Sequence, residues 1–138
     1  MAEKQTRPVV LIPGRMSQRV LERLPEHFEL VQLAAGDPAL VTPRMAGRVQ
    51  GIAVQGKLPC EWVDALPQLE IIANFGVGYD GVDAAQAASR GIVVTNTPDV
   101  LTEEVADTAI GLLLNTLRRF SVAEQWVRTG RWAKDGAF

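Results

Sequence analysis

The sequence predicts an α/β protein built on a doubly wound parallel sheet, and three observations carry that prediction. Five short β-branched runs recur along the chain: residues 8–12 (PVVLI), 28–33 (FELVQL), 51–55 (GIAVQ), 69–74 (LEIIAN) and 92–96 (IVVTN). Several of them are apolar on both faces, as strands of a buried parallel sheet must be when helices cover both sides. Segments with helical period separate the runs, and parallel neighbours need such crossovers, which are nearly always right-handed.

Between the runs, residues 17–24, 39–48, 61–66 and 82–89 are expected to form short helices. Ser17 is the expected N-cap of the first, because its hydroxyl can accept from an otherwise unpaired backbone N–H. Residues 102–120 form a longer helix in this reading. Thr102 caps it, Glu103 and Glu104 stand at its positive end, and Arg118 and Arg119 at its negative end. Its apolar set (Val105, Ala106, Ala109, Ile110, Leu112, Leu113, Leu114, Leu117) is wider than one amphipathic stripe, so burial on more than one side is expected, against a partner chain or a second lobe. A short helix over 123–128 and a loop at TGRW (129–132) follow. The chain stops at KDGAF without a structural terminator, as a fragment would.

A length of 138 residues fits about one domain and is short for a two-lobed enzyme. With 47% hydrophobic and 22% charged residues, the composition is that of a globular domain. The net charge of -2 and the scattered Lys and Arg residues give no footprint for nucleic acid or an anionic membrane. The single cysteine, Cys60, excludes an internal disulfide and a Cys-rich metal site, and is expected to be a small apolar filler near Trp62. The N-terminus MAEKQTR has no apolar core of a signal peptide, and no apolar run reaches spanning length, so a cytoplasmic location is expected.

Gly76, Gly78 and Gly81 in NFGVGYDGVD have G-x-G-x-x-G spacing after an apolar run, which raises a dinucleotide reading. Three features weigh against it. The motif follows the fourth strand rather than opening the first βαβ unit, Asp80 and Asp83 already supply carboxylates where a diphosphate would sit, and the following helix is about two turns long. Two alternatives remain: glycines that let backbone N–H groups approach a small carboxylate or carbonyl oxygen, and a tight turn without a ligand.

The ordered motifs LPQLEIIANFGVGYDGVD, RGIVVTNTPDVLTEEVADTAIGLLL and VRTGRW resemble the N-terminal part of the D-isomer-specific 2-hydroxyacid dehydrogenases, closest to their glyoxylate and hydroxypyruvate or hydroxyphenylpyruvate reductases. The resemblance implies a three-layer flavodoxin-like substrate domain over residues 1–100, with strand order 2-1-3-4-5 and helices on both faces. Residues 101–138 would then lead into a separate Rossmann domain, and a later C-terminal segment would return to cover part of the sheet. By the same resemblance, the backbone amides of Val77 and Gly78 hold the carboxylate of a 2-oxo acid, and Gly56 and Lys57 line that cleft with Gln55. Thr102 lies near the nicotinamide at the hinge, and Trp132 enters a partner subunit's pocket. The parent enzyme is then expected to use NAD(P) with no cofactor held tightly by this chain, and the apolar set of the long helix leads to the expectation of a homodimer through it.

The catalytic Arg, acidic residue and His of that family belong to the part that follows, so no catalytic residue and no metal site is expected here. His27, the only histidine, is expected at the surface. The isolated chain is therefore expected not to reduce 2-oxo acids. A bare sheet face is also expected, with the long helix folded over it or paired with its copy. A phosphoacceptor receiver is rejected because IPGR and QGKLP stand where it needs acidic residues. A free-standing flavin or nucleotide module, and a non-catalytic scaffold, stay as rivals.

Overall fold

The computed structural model describes residues 7–137. The chain divides after Pro98 into two compact units. The first carries β1 (Val9–Pro13), α1 (Gln18–Arg23), β2 (Glu29–Leu33), α2 (Pro43–Ala46), β3 (Val49–Val54), α3 (Glu61–Ala65), β4 (Ile71–Asn74), α4 (Ala84–Ser89) and β5 (Val93–Thr95). The strands form one parallel sheet in the order β2-β1-β3-β4-β5. The chain order reverses at β1, which makes the sheet doubly wound, as the sequence predicts.

Alternation along the strands divides the core between two faces. On one face Leu11, Ile52, Val54 and Ile72 pack with Trp62, Leu66 and Ala87, all nearly or fully buried. On the other, Val10, Ile12 and Ala53 pack beneath Leu21, Leu24 and Phe28. This second layer leaves the β4 and β5 end of the face open: Ile71 is 40% exposed and Val93, its register partner, 56%. Apolar sheet surface is bare there, as expected.

Several local expectations need correction. Residues 39–48 do not form one helix. A 3-10 turn (Pro38–Leu40), capped by Asp37 accepting from the Ala39 N–H, is followed by α2, capped by Thr42 accepting from the Met45 N–H. Pro43 forces the break, because the residue before a proline is kept out of the helical region, and Thr42 is extended with ψ 155°. Ser17 stands at the N-cap of α1, but its hydroxyl makes no cap hydrogen bond. Cys60 is exposed at the start of α3 rather than filling space beside Trp62, since the α3 residues turned to the core are Trp62 and Val63.

The second unit holds α5 (Thr102–Arg118), α6 (Phe120–Arg128) and α7 (Arg131–Asp135). Thr102 is the first helical residue of α5, not its cap; Leu101 occupies that place. Arg119, in the left-handed region at φ 54°, separates α5 from α6, and the Asn115 side-chain oxygen accepts from both the N–H and the hydroxyl of Ser121. The second helix therefore begins at Phe120, not at 123, and α7 forms where a loop was expected. The Arg131 guanidinium lies 3.8 Å from the Trp126 ring centroid, and the Trp126 indole donates to the Gly136 carbonyl. No residue of α5 is buried within the chain, and the cover expected for it was a partner chain or a second lobe.

Candidate functional site

The carboxyl ends of β3, β4 and β5 deliver three loops to one edge of the sheet, the place where open α/β sheets bind ligands. After β3 come Gln55, Gly56 and Lys57, with Gly56 at φ +100°, a conformation that side chains rarely adopt. After β4 comes the turn 75–80, and after β5 come Asn96 and Thr97. The first two loops are tied together. Leu58 N–H donates to the Gly81 carbonyl at 2.8 Å, and Leu58 and Val82 form an isolated parallel bridge. A Cβ on Gly81 would lie 2.8 Å from the Gly56 carbonyl oxygen, so the third glycine of the motif serves close approach of two backbones.

Within the turn, three consecutive carbonyls are anchored. Thr97 N–H donates to Gly76 O at 2.9 Å, the Asn96 amide donates to Val77 O at 2.8 Å, and the Asn74 amide donates to Gly78 O at 2.8 Å and to Gly76 O at 3.4 Å. Asn74 is buried, at 5% exposed. The Val77 and Gly78 N–H groups donate to no group among the described residues, and both residues are exposed. Two adjacent unpaired donors suit one small anionic or carbonyl oxygen.

Negative charge already stands around this turn, which weighs more against a doubly charged dinucleotide diphosphate than against a single carboxylate. An Asp80 carboxylate oxygen lies 3.0 Å from where a Gly78 Cβ would stand, so negative charge already flanks the glycine. Asp83 caps α4 by accepting from the Gln86 N–H at 2.8 Å, and α4 is only six residues long.

Of the residues singled out from the sequence, Gly56, Lys57, Val77 and Gly78 are brought to the tied loops. Lys57 is exposed and makes no ion pair among the described residues. Thr102 and Trp132 belong to the second unit, where Trp132 is 56% exposed on α7. His27 ends a 3-10 turn with its side chain 75% exposed, as expected of a surface residue. Asn74 and Asn96 were missed by sequence reasoning; an asparagine closing each of two adjacent strands was the available signal. A cleft of about 200 Å³ beside the turn is lined by Ala73, Asn74, Phe75, Asn96 and Thr97 among others. A larger one of about 500 Å³ runs along α1 and includes none of the predicted site residues. Among the described residues no helix is long and apolar enough to cross a membrane.

Residues 9–134 match the model of the D-isomer specific 2-hydroxyacid dehydrogenase catalytic domain. The chain is 38% identical over 135 residues to the glyoxylate reductase of Thermococcus kodakarensis, covering 94% of this chain and 40% of that protein. It is 54% identical over 72 residues to the hydroxyphenylpyruvate reductase of Plectranthus scutellarioides, covering 52% and 23% of the two. Among solved structures, the NADPH-dependent glyoxylate/hydroxypyruvate reductase of Sinorhizobium meliloti in complex with citrate matches with a TM-score of 0.90 at 68% identity, covering 96% of this chain and 41% of that one. The chain thus spans well under half the length of the relatives it matches. With most of its length matched by the family model, the chain belongs to the D-isomer specific 2-hydroxyacid dehydrogenases.

Proposed function

We propose that this chain is the substrate-binding part of an NAD(P)-dependent 2-hydroxyacid dehydrogenase of the glyoxylate/hydroxypyruvate reductase type, holding the carboxylate of a 2-oxo acid on the Val77 and Gly78 backbone. The observation that carries the reading is the pair of neighbouring N–H groups, on two exposed residues after β4, that donate to no group among the described residues. Charge-assisted hydrogen bonds from two backbone donors would fix one end of a small acid. Gly56 and the Lys57 cation line the same opening, and Lys57 adds favourable charge. The Sinorhizobium meliloti relative has been solved with citrate and with NADP and malonate, which supports affinity for small carboxylic acids in this group.

The chemistry of the parent enzyme is hydride exchange with a nicotinamide. The Asp80 and Asp83 carboxylates beside the turn disfavour the doubly charged diphosphate of that cofactor more than a single carboxylate, so in this reading the chain's own work is to bind and orient the acid. Thr102 lies toward the nicotinamide and Trp132 reaches a partner's pocket in this reading. The exposed Val105, Ile110, Leu112, Leu113 and Leu117 of α5 support a homodimer through that helix. The 138-residue chain by itself does not turn over substrate, because its one histidine lies at the surface on a 3-10 turn, and a general acid must come within hydrogen-bond reach of the carbonyl.

Calorimetric titration of the purified chain with glyoxylate, FMN and NADPH tests the reading. Saturable binding of glyoxylate alone is expected. Saturable FMN or NADPH binding without glyoxylate binding overturns it in favour of a flavin or nucleotide module. Turnover of NADPH with glyoxylate, above a contaminant control, overturns the expected inactivity.

A further inference from the structure

We propose that Asn96 is a positioning residue that aims the Gly78 N–H into the substrate opening, with Thr97 and Asn74 doing the same for its neighbours. The proposal rests on the carboxylate reading of Val77 and Gly78.

The argument follows from peptide planarity. In a trans peptide the C=O of one residue and the N–H of the next lie in one plane and point in opposite directions. The chain holds no cis peptide bond among the described residues. Fixing a carbonyl therefore fixes the direction of the following N–H. The Val77 carbonyl shares its plane with the Gly78 N–H, and the Asn96 amide holds that carbonyl at 2.8 Å. The Gly76 carbonyl shares its plane with the Val77 N–H, and Thr97 N–H holds it at 2.9 Å, with the Asn74 amide at 3.4 Å. Both donors proposed to meet substrate are thus set from behind, by hydrogen bonds on the opposite side of their own peptide groups.

The need for such anchoring is local. Gly76 and Gly78 give the turn backbone freedom that side chains would deny it, and a two-donor cradle has value only if both N–H groups converge before the ligand arrives. Asn74 reaches the turn from the buried end of β4, while Asn96 and Thr97 reach it from the residues after β5. The cradle is held by two neighbouring strands rather than by its own short loop. Each asparagine uses its side-chain NH₂ toward a carbonyl, and a carbonyl can only accept, so the amide orientation is dictated by the partner.

The test is a titration of the isotope-labelled chain with glyoxylate, read at the backbone amide resonances. In the native chain the Val77 and Gly78 amide protons are expected to shift together on binding. In Asn96→Ala the dissociation constant should rise about tenfold, as for loss of one well-aimed hydrogen bond to a charged group. The Gly78 shift should shrink while the Val77 shift persists and resonances of the β1 and β3 core stay in place. Gln18→Ala, on α1, should bind as the native chain does. Should Asn96→Ala lose its native spectrum, Asn96→Ser, whose hydroxyl stops short of the Val77 carbonyl, is expected to give the same pattern. Native-like affinity with an unchanged Gly78 shift in a folded Asn96 variant overturns the positioning role while leaving the carboxylate reading intact. A native chain whose Val77 and Gly78 amides ignore saturating glyoxylate overturns the carboxylate reading, and the positioning role with it.

Discussion

The two units of the chain treat their apolar residues in opposite ways. Before Pro98, Leu11, Ile52, Trp62, Leu66 and Ile72 are essentially solvent-free. After it, α5 is as rich in leucine as any part of the chain and buries none of it, with Leu117 69% exposed and Val105 62%. Apolar composition thus states a demand for cover, which the first unit meets over most of its sheet, save the β4 and β5 end, and which α5 leaves unmet. The first unit has the properties of a folding core, and the exposed apolar residues of α5 are the basis of the proposed homodimer.

Substitutions should separate the two units by size of effect. Trp62→Ala removes the largest fully buried side chain and should destabilise the chain by about 3–5 kcal/mol, seen as a lower midpoint in urea. Gly81→Ala forces a methyl to within 2.8 Å of the Gly56 carbonyl and should cost about 1–3 kcal/mol, with weaker glyoxylate binding because the two site loops must part. Asp83→Ala removes the cap of α4 and should cost about 1 kcal/mol. Val127→Ala, on α6 and outside the proposed α5 dimer face, should change the unfolding free energy by less than about 0.5 kcal/mol, as an exposed position does. Leu113→Glu, on the proposed α5 dimer face, should shift sedimentation from dimer to monomer. A large stability loss from Val127→Ala would break the comparison by showing that the second unit supports folding of the chain.

The strands were legible in the sequence because a parallel sheet covered on both faces leaves an unbroken β-branched run, and their order follows the family resemblance. The error over 39–48 came from weighing the apolar spacing above Pro43, whose effect on Thr42 is the stronger local rule. Cys60 was misjudged because burial habits of a residue type say nothing about which side of α3 faces the core. At the site, the glycine motif was legible but ambiguous: the same spacing serves a phosphate loop or, as Gly81 does here, the close approach of two backbones. The signal at Asn74 and Asn96 was ambiguous, since an asparagine at a strand end is equally an ordinary turn former. Only the arrangement of β4 beside β5 brings their amides onto neighbouring carbonyls.

The most direct test is a crystal structure of the chain grown with oxalate, a stable two-carbon acid. A carboxylate oxygen within hydrogen-bond distance of both the Val77 and Gly78 nitrogens is the predicted result. Oxalate bound elsewhere while these nitrogens face only water, or a coenzyme diphosphate seated on the turn in a parallel soak with NADPH, would contradict it.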